Sequence, residues 1–157
     1  SDEKFQQMVS KGEFLEYVRV FNMDYYGTPR SFVEEEIALG HDVLLEIDVQ
    51  GCLQAMKQNP DATGVFICPP SRENLEKRLR GRGTETEESI RVRLGNVAGE
   101  VEKAYKYHYV IIHQDWSMVP NALDIAVDEL YAIITARRQE TKNHLDFLDA
   151  LSASLKK

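Results

Sequence analysis

The stretch VLLEIDV at residues 43–49 is the most informative in the sequence. Five of its seven side chains are aliphatic, which predicts a short strand buried on both faces, as in a parallel sheet. Glu46 and Asp48 interrupt the run. Successive side chains alternate across a strand, so these two carboxylates share one face. Both stand near its C-terminal end, where ligands bind in open α/β sheets. An unpartnered buried carboxylate is costly enough that an apolar strand does not carry two of them idly. One reading pairs each with a structural arginine or has it cap a neighbouring helix. The other makes them acceptors for a base edge or for hydrated Mg2+.

Helices and strands alternate on both sides of this run. Upstream, Phe5, Met8 and Val9 mark a helix over 2–11 stopped by Gly12, residues 14–21 (FLEYVRVF) read as a strand, and 22–27 (NMDYYG) as a turn-forming loop. Pro29 suits the first turn of a helix that ends at Gly40. Downstream come a helix near 50–58, an apolar strand at 65–68 closed by Pro69-Pro70, and a helix through Leu79 with Ser71 as its N-cap. Thr84-Glu85-Thr86-Glu87 has the form of a capping box and opens another helix. Ile90, Leu94, Val97, Val101 and Tyr105 recur there at steps of three and four, predicting a buried stripe. A third apolar strand covers 109–112, and a long amphipathic helix covers 120–139, with Leu123, Val127, Leu130 and Ile134 on one side. A final helix carries Leu145, Phe147, Leu148, Leu151 and Leu155. Apolar strands alternating with helices imply right-handed crossovers, hence an α/β fold with a mostly parallel sheet flanked by helices.

The bulk properties narrow the function. A length of 157 residues suits one compact domain, and 43% hydrophobic with 29% charged residues suits a globular one. A net charge of −7 and a pI near 5.1 argue against a nucleic-acid binder, whose phosphate contacts need surplus cations. A bound nucleotide needs only a few local arginines. The two cysteines, Cys52 and Cys68, suit reduced thiols. No apolar run approaches the roughly 20 residues that span a bilayer, and no signal peptide opens the sequence, so no membrane partner and a cytoplasmic location are expected.

Three further groups carry chemistry. Arg72, Arg78, Arg80, Arg82, Arg91 and Arg93 cluster around Gly81 and Gly83, a combination suited to a hinged segment that binds phosphate. Arginine-rich helix ends are also ordinary solvated surface or partners of neighbouring glutamates. In Asp24-Tyr25-Tyr26-Gly27-Thr28-Pro29, tyrosine and threonine hydroxyls beside a helix N-terminus can hold an anion, although paired tyrosines also serve as packing residues. Glu16, within FLEYVRV, reads by itself as a solvent-facing strand residue. The four histidines show no metal-ligand spacing, and Trp116 with Tyr105, Tyr107 and Tyr109 reads as packing.

In order and spacing, three blocks resemble guanylate kinase: GEFLEYVRVFNMDYYGT at 12–28, GHDVLLEIDVQG at 40–51, and PPSRENLEKRLRGRGTETEESIRVRL at 69–94. The resemblance implies a P-loop nucleoside monophosphate kinase-like fold over 1–140. Its GMP-binding lobe would be near 1–40, core at 41–70 and 96–140, and a lid region at 71–95. A helical tail at 141–157 follows. It implies that Glu16, Thr28 and Glu46 read guanine and that Tyr26 holds the GMP phosphate. Asp48 would stand near the Mg2+ shell, reached through water with no direct protein ligation. Arg78, Arg82 and Arg93 would clamp the transferred phosphoryl group. The substrates implied are GMP and ATP, the latter with Mg2+.

Three departures qualify that picture. No G-x-x-x-x-G-K-[ST] phosphate loop occurs in the sequence, and the family's upstream segment with further GMP-binding arginines and a serine has no counterpart. The resemblance begins after both, so a missing N-terminal piece is expected rather than a degenerate loop. Negligible turnover by this chain alone is expected with it. Ile112-His113-Gln114-Asp115 also replaces an Asn-containing stretch near adenine. The competing reading is a catalytically inactive guanylate kinase-like module that binds partner proteins. The retained Glu16, Tyr26, Glu46, Asp48 and lid arginines favour the enzyme.

Overall fold

The computed structural model describes residues 2–20, 24–81, 83, 86–115 and 117–156. Two compact units divide the chain: Ser1–Phe66 with Arg91–Val110, and Ile67–Ile90 with Ile111–Lys157.

The first unit opens with helix α1 (Asp2–Ser10), followed by strands β1 (Phe14–Val20) and β2 (Asp24–Pro29), then α2 (Arg30–Ala38) and α3 (Val49–Gln58). Helix α2 ends as its sequence predicts. Gly40 takes φ 83°, its N–H donates to Ile37 O, and His41 N–H donates to Glu36 O. This paired closure needs a left-handed residue, which glycine supplies without a Cβ penalty.

Residues 24–29 correct the loop expected over 22–27; residues 22 and 23 lie outside the described residues. Asp24–Pro29 is a strand paired antiparallel with β1, in a register that sets Glu16 opposite Thr28, Tyr17 opposite Gly27 and Val18 opposite Tyr26. Tyr25, Tyr26 and Thr28 are strand formers, and the cross-strand pairing outweighs the turn signal of Gly27.

The register slips once. β1 advances from Phe14 to Glu16 while β2 advances only from Pro29 to Thr28, leaving Leu15 as the extra residue of a β-bulge. Three consecutive side chains are therefore buried, Phe14, Leu15 and Glu16, where strict alternation would turn one of them out. Glu16 is 3% exposed, which overturns its solvent-facing reading.

Residues 43–48 correct a second expectation. No strand of the described residues pairs with them, and their burial follows a period of two. Val43, Leu45 and Ile47 pack on the cluster of Leu15, Val33 and Ala55, while Leu44, at 74% exposure, Glu46 and Asp48 face solvent. The segment is buried on one face, not two.

Strands β3 (Val65–Cys68) and β4 (Tyr109–Ile112) form the second sheet. Tyr109 N–H donates to Gly64 O and His113 N–H to Cys68 O, an advance in one direction that makes the pair parallel. Helices α4 (Arg72–Gly81), α5 (Glu87–Ala104), α6 (Ala122–Arg138) and α7 (Leu145–Leu155) complete the described elements, with a 3-10 turn at Thr141–His144. Ser71 caps α4 as expected, its Oγ accepting from Asn74 N–H at 3.2 Å. At α5 the capping hydroxyl belongs to Thr86, which accepts from Ser89 N–H; Thr84 lies outside the described residues. The predicted α5 stripe is buried only at Ile90, and Val101 and Tyr105 are exposed. No helix of the described residues is long and apolar enough to cross a membrane.

Candidate functional site

Helix α3 and strand β1 build the site. α3 lays Gly51, Gln54, Ala55 and Gln58 along one face by helical spacing. Gln54 brackets the backbone of Tyr17 with its side-chain amide: Nε2 donates to Tyr17 O at 3.0 Å, and Tyr17 N–H donates to Oε1 at 3.3 Å. Gln58 accepts from the Arg30 guanidinium, which also reaches Phe14 O. The bulged start of β1 is thereby tied down at residues 14 and 17, on both sides of Glu16.

Glu16 lies between Thr28 and Gly51. Thr28 Oγ1 donates to Glu16 Oε1 at 2.6 Å, within the range of a charge-assisted O–H···O− bond. The other oxygen lies against Gly51, in the first turn of α3, where a β-carbon would approach it to 2.7 Å. Asp48 is the N-cap of the same helix, its Oδ1 accepting from Gly51 N–H at 2.7 Å. Two carboxylates thus converge on one helix N-terminus, whose partial positive charge favours both. For Asp48, the structural reading of helix capping is realised. The side chain remains solvent-facing, as does Glu46 two residues earlier.

The face of the hairpin that carries Glu16 and Thr28 also carries Val18 and Tyr26, by alternation along the ladder. Tyr26 is 58% exposed there. The opposite face carries an aromatic cluster: Phe5 stacks on Phe14 at 4.5 Å and on Tyr25 at 4.9 Å, with Arg19 over the Tyr25 ring. The two adjacent tyrosines therefore divide their roles, Tyr25 to packing and Tyr26 to the open face.

In the second unit, Arg78 is held by the chain that leaves β4. Its Nη2 donates to His113 O at 2.8 Å and to Gln114 O at 2.7 Å. Asp115, 7% exposed, accepts from Ser117 N–H and Ser117 Oγ and pairs with Lys77 Nζ at 3.2 Å. The Ser117 backbone N–H, then its hydroxyl, and to a lesser degree Lys77 hold the Asp115 carboxyl below its usual range. Arg80 pairs with Glu76 and Glu87, the ordinary surface reading of an arginine-rich helix end. Arg93 stands half-buried on α5 in the first unit, and Arg82 lies outside the described residues.

A family model described as guanylate kinase matches residues 1–137. This chain belongs to the guanylate kinase family. It is similar, at 42% identity over 151 residues, to a guanylate kinase of Aromatoleum aromaticum, covering 94% of this chain and 70% of that one. A guanylate kinase of Hydrogenovibrio crunogenus is 44% identical over 139 residues, 88% of this chain and 64% of that protein. Among solved structures, guanylate kinase from Anaplasma phagocytophilum superposes with a TM-score of 0.68 at 31% identity, over 88% of this chain and 63% of that chain. The chain spans roughly two thirds of the length of these guanylate kinases. The guanylate kinase family is one of nucleoside monophosphate kinases, and its α/β fold is the one expected here.

Sequence reasoning did not single out Gly51 or Gln54. The available signal was the G-x-x-Q-A-x-x-Q spacing after Asp48, which puts a bare position and two amides on one helix face.

Proposed function

We propose that this chain forms the GMP-recognising part of a guanylate kinase, which transfers the terminal phosphoryl group of ATP to the phosphate of GMP, giving ADP and GDP. Glu16 carries the reading: a carboxylate buried to 3% exposure, bonded by Thr28 and seated on a helix N-terminus. Guanine presents N1–H and 2-amino donors on the edge where adenine has an acceptor and no amino group. A buried carboxylate accepts from the first and is left unpaired by the second, which penalises the wrong base.

In this reading Thr28 orients Glu16, and Glu46 adds a second acceptor to the base. Tyr26, exposed on the same hairpin face, offers its phenol to the GMP phosphate. Mg2+ enters with ATP. It keeps several waters and takes few protein carboxylates, which suits the solvent-facing Asp48 acting through water; when bound it neutralises phosphate charge. Arg78, Arg82 and Arg93 clamp the moving phosphoryl group, residues 71–95 serving as the lid. Positioning and charge neutralisation then suffice for in-line transfer without a covalent intermediate. The reaction belongs in the cytoplasm, which suits Cys52 and Cys68 as free thiols. Because the sequence contains no G-x-x-x-x-G-K-[ST], these 157 residues on their own turn over negligibly.

Calorimetric titration with GMP and with AMP tests this directly. The reading requires GMP binding at least about tenfold tighter than AMP. Equal affinities, or no nucleotide binding at all, would overturn it in favour of the protein-interaction module. Formation of ADP from ATP and GMP by these residues alone would overturn the inactivity.

A further inference from the structure

Helix α3 carries a glycine where a helix gains from any other residue except proline. We infer that Gly51 is a positioning residue for Glu16, its missing side chain making the seat into which the base-reading carboxylate fits. The inference rests on the reading of Glu16 given above and extends it to a residue that touches no substrate.

A β-carbon at Gly51 would stand 2.7 Å from Glu16 Oε2, 3.2 Å from Glu16 Cδ and 3.4 Å from Asp48 Oδ1. The first distance is closer than real β-carbons approach, so one side must move. Gly51 is fixed: its N–H is held by Asp48 at 2.7 Å, and α3 is tied to β1 through Gln54. Glu16 ends in a rotatable carboxylate. The easiest response to a methyl group is a turn of that carboxylate away from α3, which disturbs its bond from Thr28. Alanine is also the better helix former. Gly51→Ala therefore disturbs base reading while sparing the fold.

The test pairs Gly51→Ala with Glu16→Asp, which is one methylene shorter and draws the carboxylate back from α3. Each variant and the wild type are titrated with GMP and with IMP, which keeps the N1–H and lacks the 2-amino group. Gly51→Ala is expected to weaken GMP by about tenfold or more and IMP by much less. Its thermal midpoint should fall less than that of Thr28→Val, because alanine's gain as a helix former offsets part of the disturbed bond. In the Glu16→Asp background the same alanine should have little further effect, the non-additivity of two groups in contact. An unchanged GMP-over-IMP preference in Gly51→Ala, or an equal loss in both backgrounds, overturns the inference. If Gly51→Ala fails to fold, recovery of folding in the double variant supports it, and failure of both overturns it. Should the wild type bind no GMP, the functional reading falls. The positioning claim is then read from carboxyl 13C resonances, where Gly51→Ala must shift Glu16 and leave Glu46 in place. An unmoved Glu16 overturns it.

Discussion

Thr28 donates its hydroxyl to Glu16 across the β1–β2 ladder, at 2.6 Å and directly opposite in register. This bond stands between a usable carboxylate and an uncompensated buried charge. Thr28→Val keeps the shape and removes the donor, so unfolding in urea should lose about 1–3 kcal/mol. Thr28→Ser keeps the hydroxyl and should lose much less. Equal losses would mean that shape, not the hydrogen bond, is what Thr28 contributes.

A second prediction concerns the edge of β1. Gln54 satisfies both backbone groups of Tyr17 with one side chain. Gln54→Ala should cost about 1–2 kcal/mol and speed hydrogen exchange at the Tyr17 amide. Unchanged protection there would show that the amide makes no contribution to holding the strand.

Much of this architecture is legible before any coordinates. Helix α3, strands β3 and β4 and the Gly40 stop follow from periodicity and capping residues alone. Glu16 is different. Plain alternation from Phe14 puts it on the same side as Phe14, yet nothing in FLEYVRV says that the chain bulges at Leu15 or that Gly51 leaves room beside it. A bulge is a property of the pair of strands, and a seat is a property of a helix three elements further on. Residues 43–49 misled for a related reason, since aliphatic content reports how apolar a segment is and not whether a neighbour covers both faces. Val101 and Tyr105 extend a stripe that is buried only at Ile90, since a helical repeat reports which side is apolar and not how much of it is covered.

Asp115 supplies a pH signature. Its carboxyl is held below the usual range, by the Ser117 backbone N–H first, so the folded state binds its proton less readily than the unfolded chain. Its contribution to stability is therefore complete above the unfolded carboxylate pKa of about 3.9 and is lost as pH falls through the lower folded value. Asp115→Asn should be less stable than wild type from neutral pH down to about pH 5, with the gap closing below pH 4. Urea midpoints across that range check it. A gap that stays constant would assign the effect to packing.

Arg78 makes a fourth. Its Nη2 serves two successive carbonyls, His113 O and Gln114 O, while Nη1 lies 3.2 Å from His113 Nδ1, a spread of two nitrogens that a single ammonium does not reproduce. Arg78→Lys should lower stability by about 1 kcal/mol or more despite keeping the charge, read as a shift in the denaturation midpoint. A midpoint equal to wild type would show that charge alone suffices there.

The measurement closest to the central claim is the GMP affinity of Glu16→Gln. Glutamine keeps the shape but trades an acceptor oxygen for an N–H donor, set against donors of guanine. A loss of about 100-fold or more in calorimetric affinity is expected, with the fold retained by circular dichroism. An affinity within about threefold of wild type, some 0.6 kcal/mol, would contradict it and remove Glu16 from the recognition of the base.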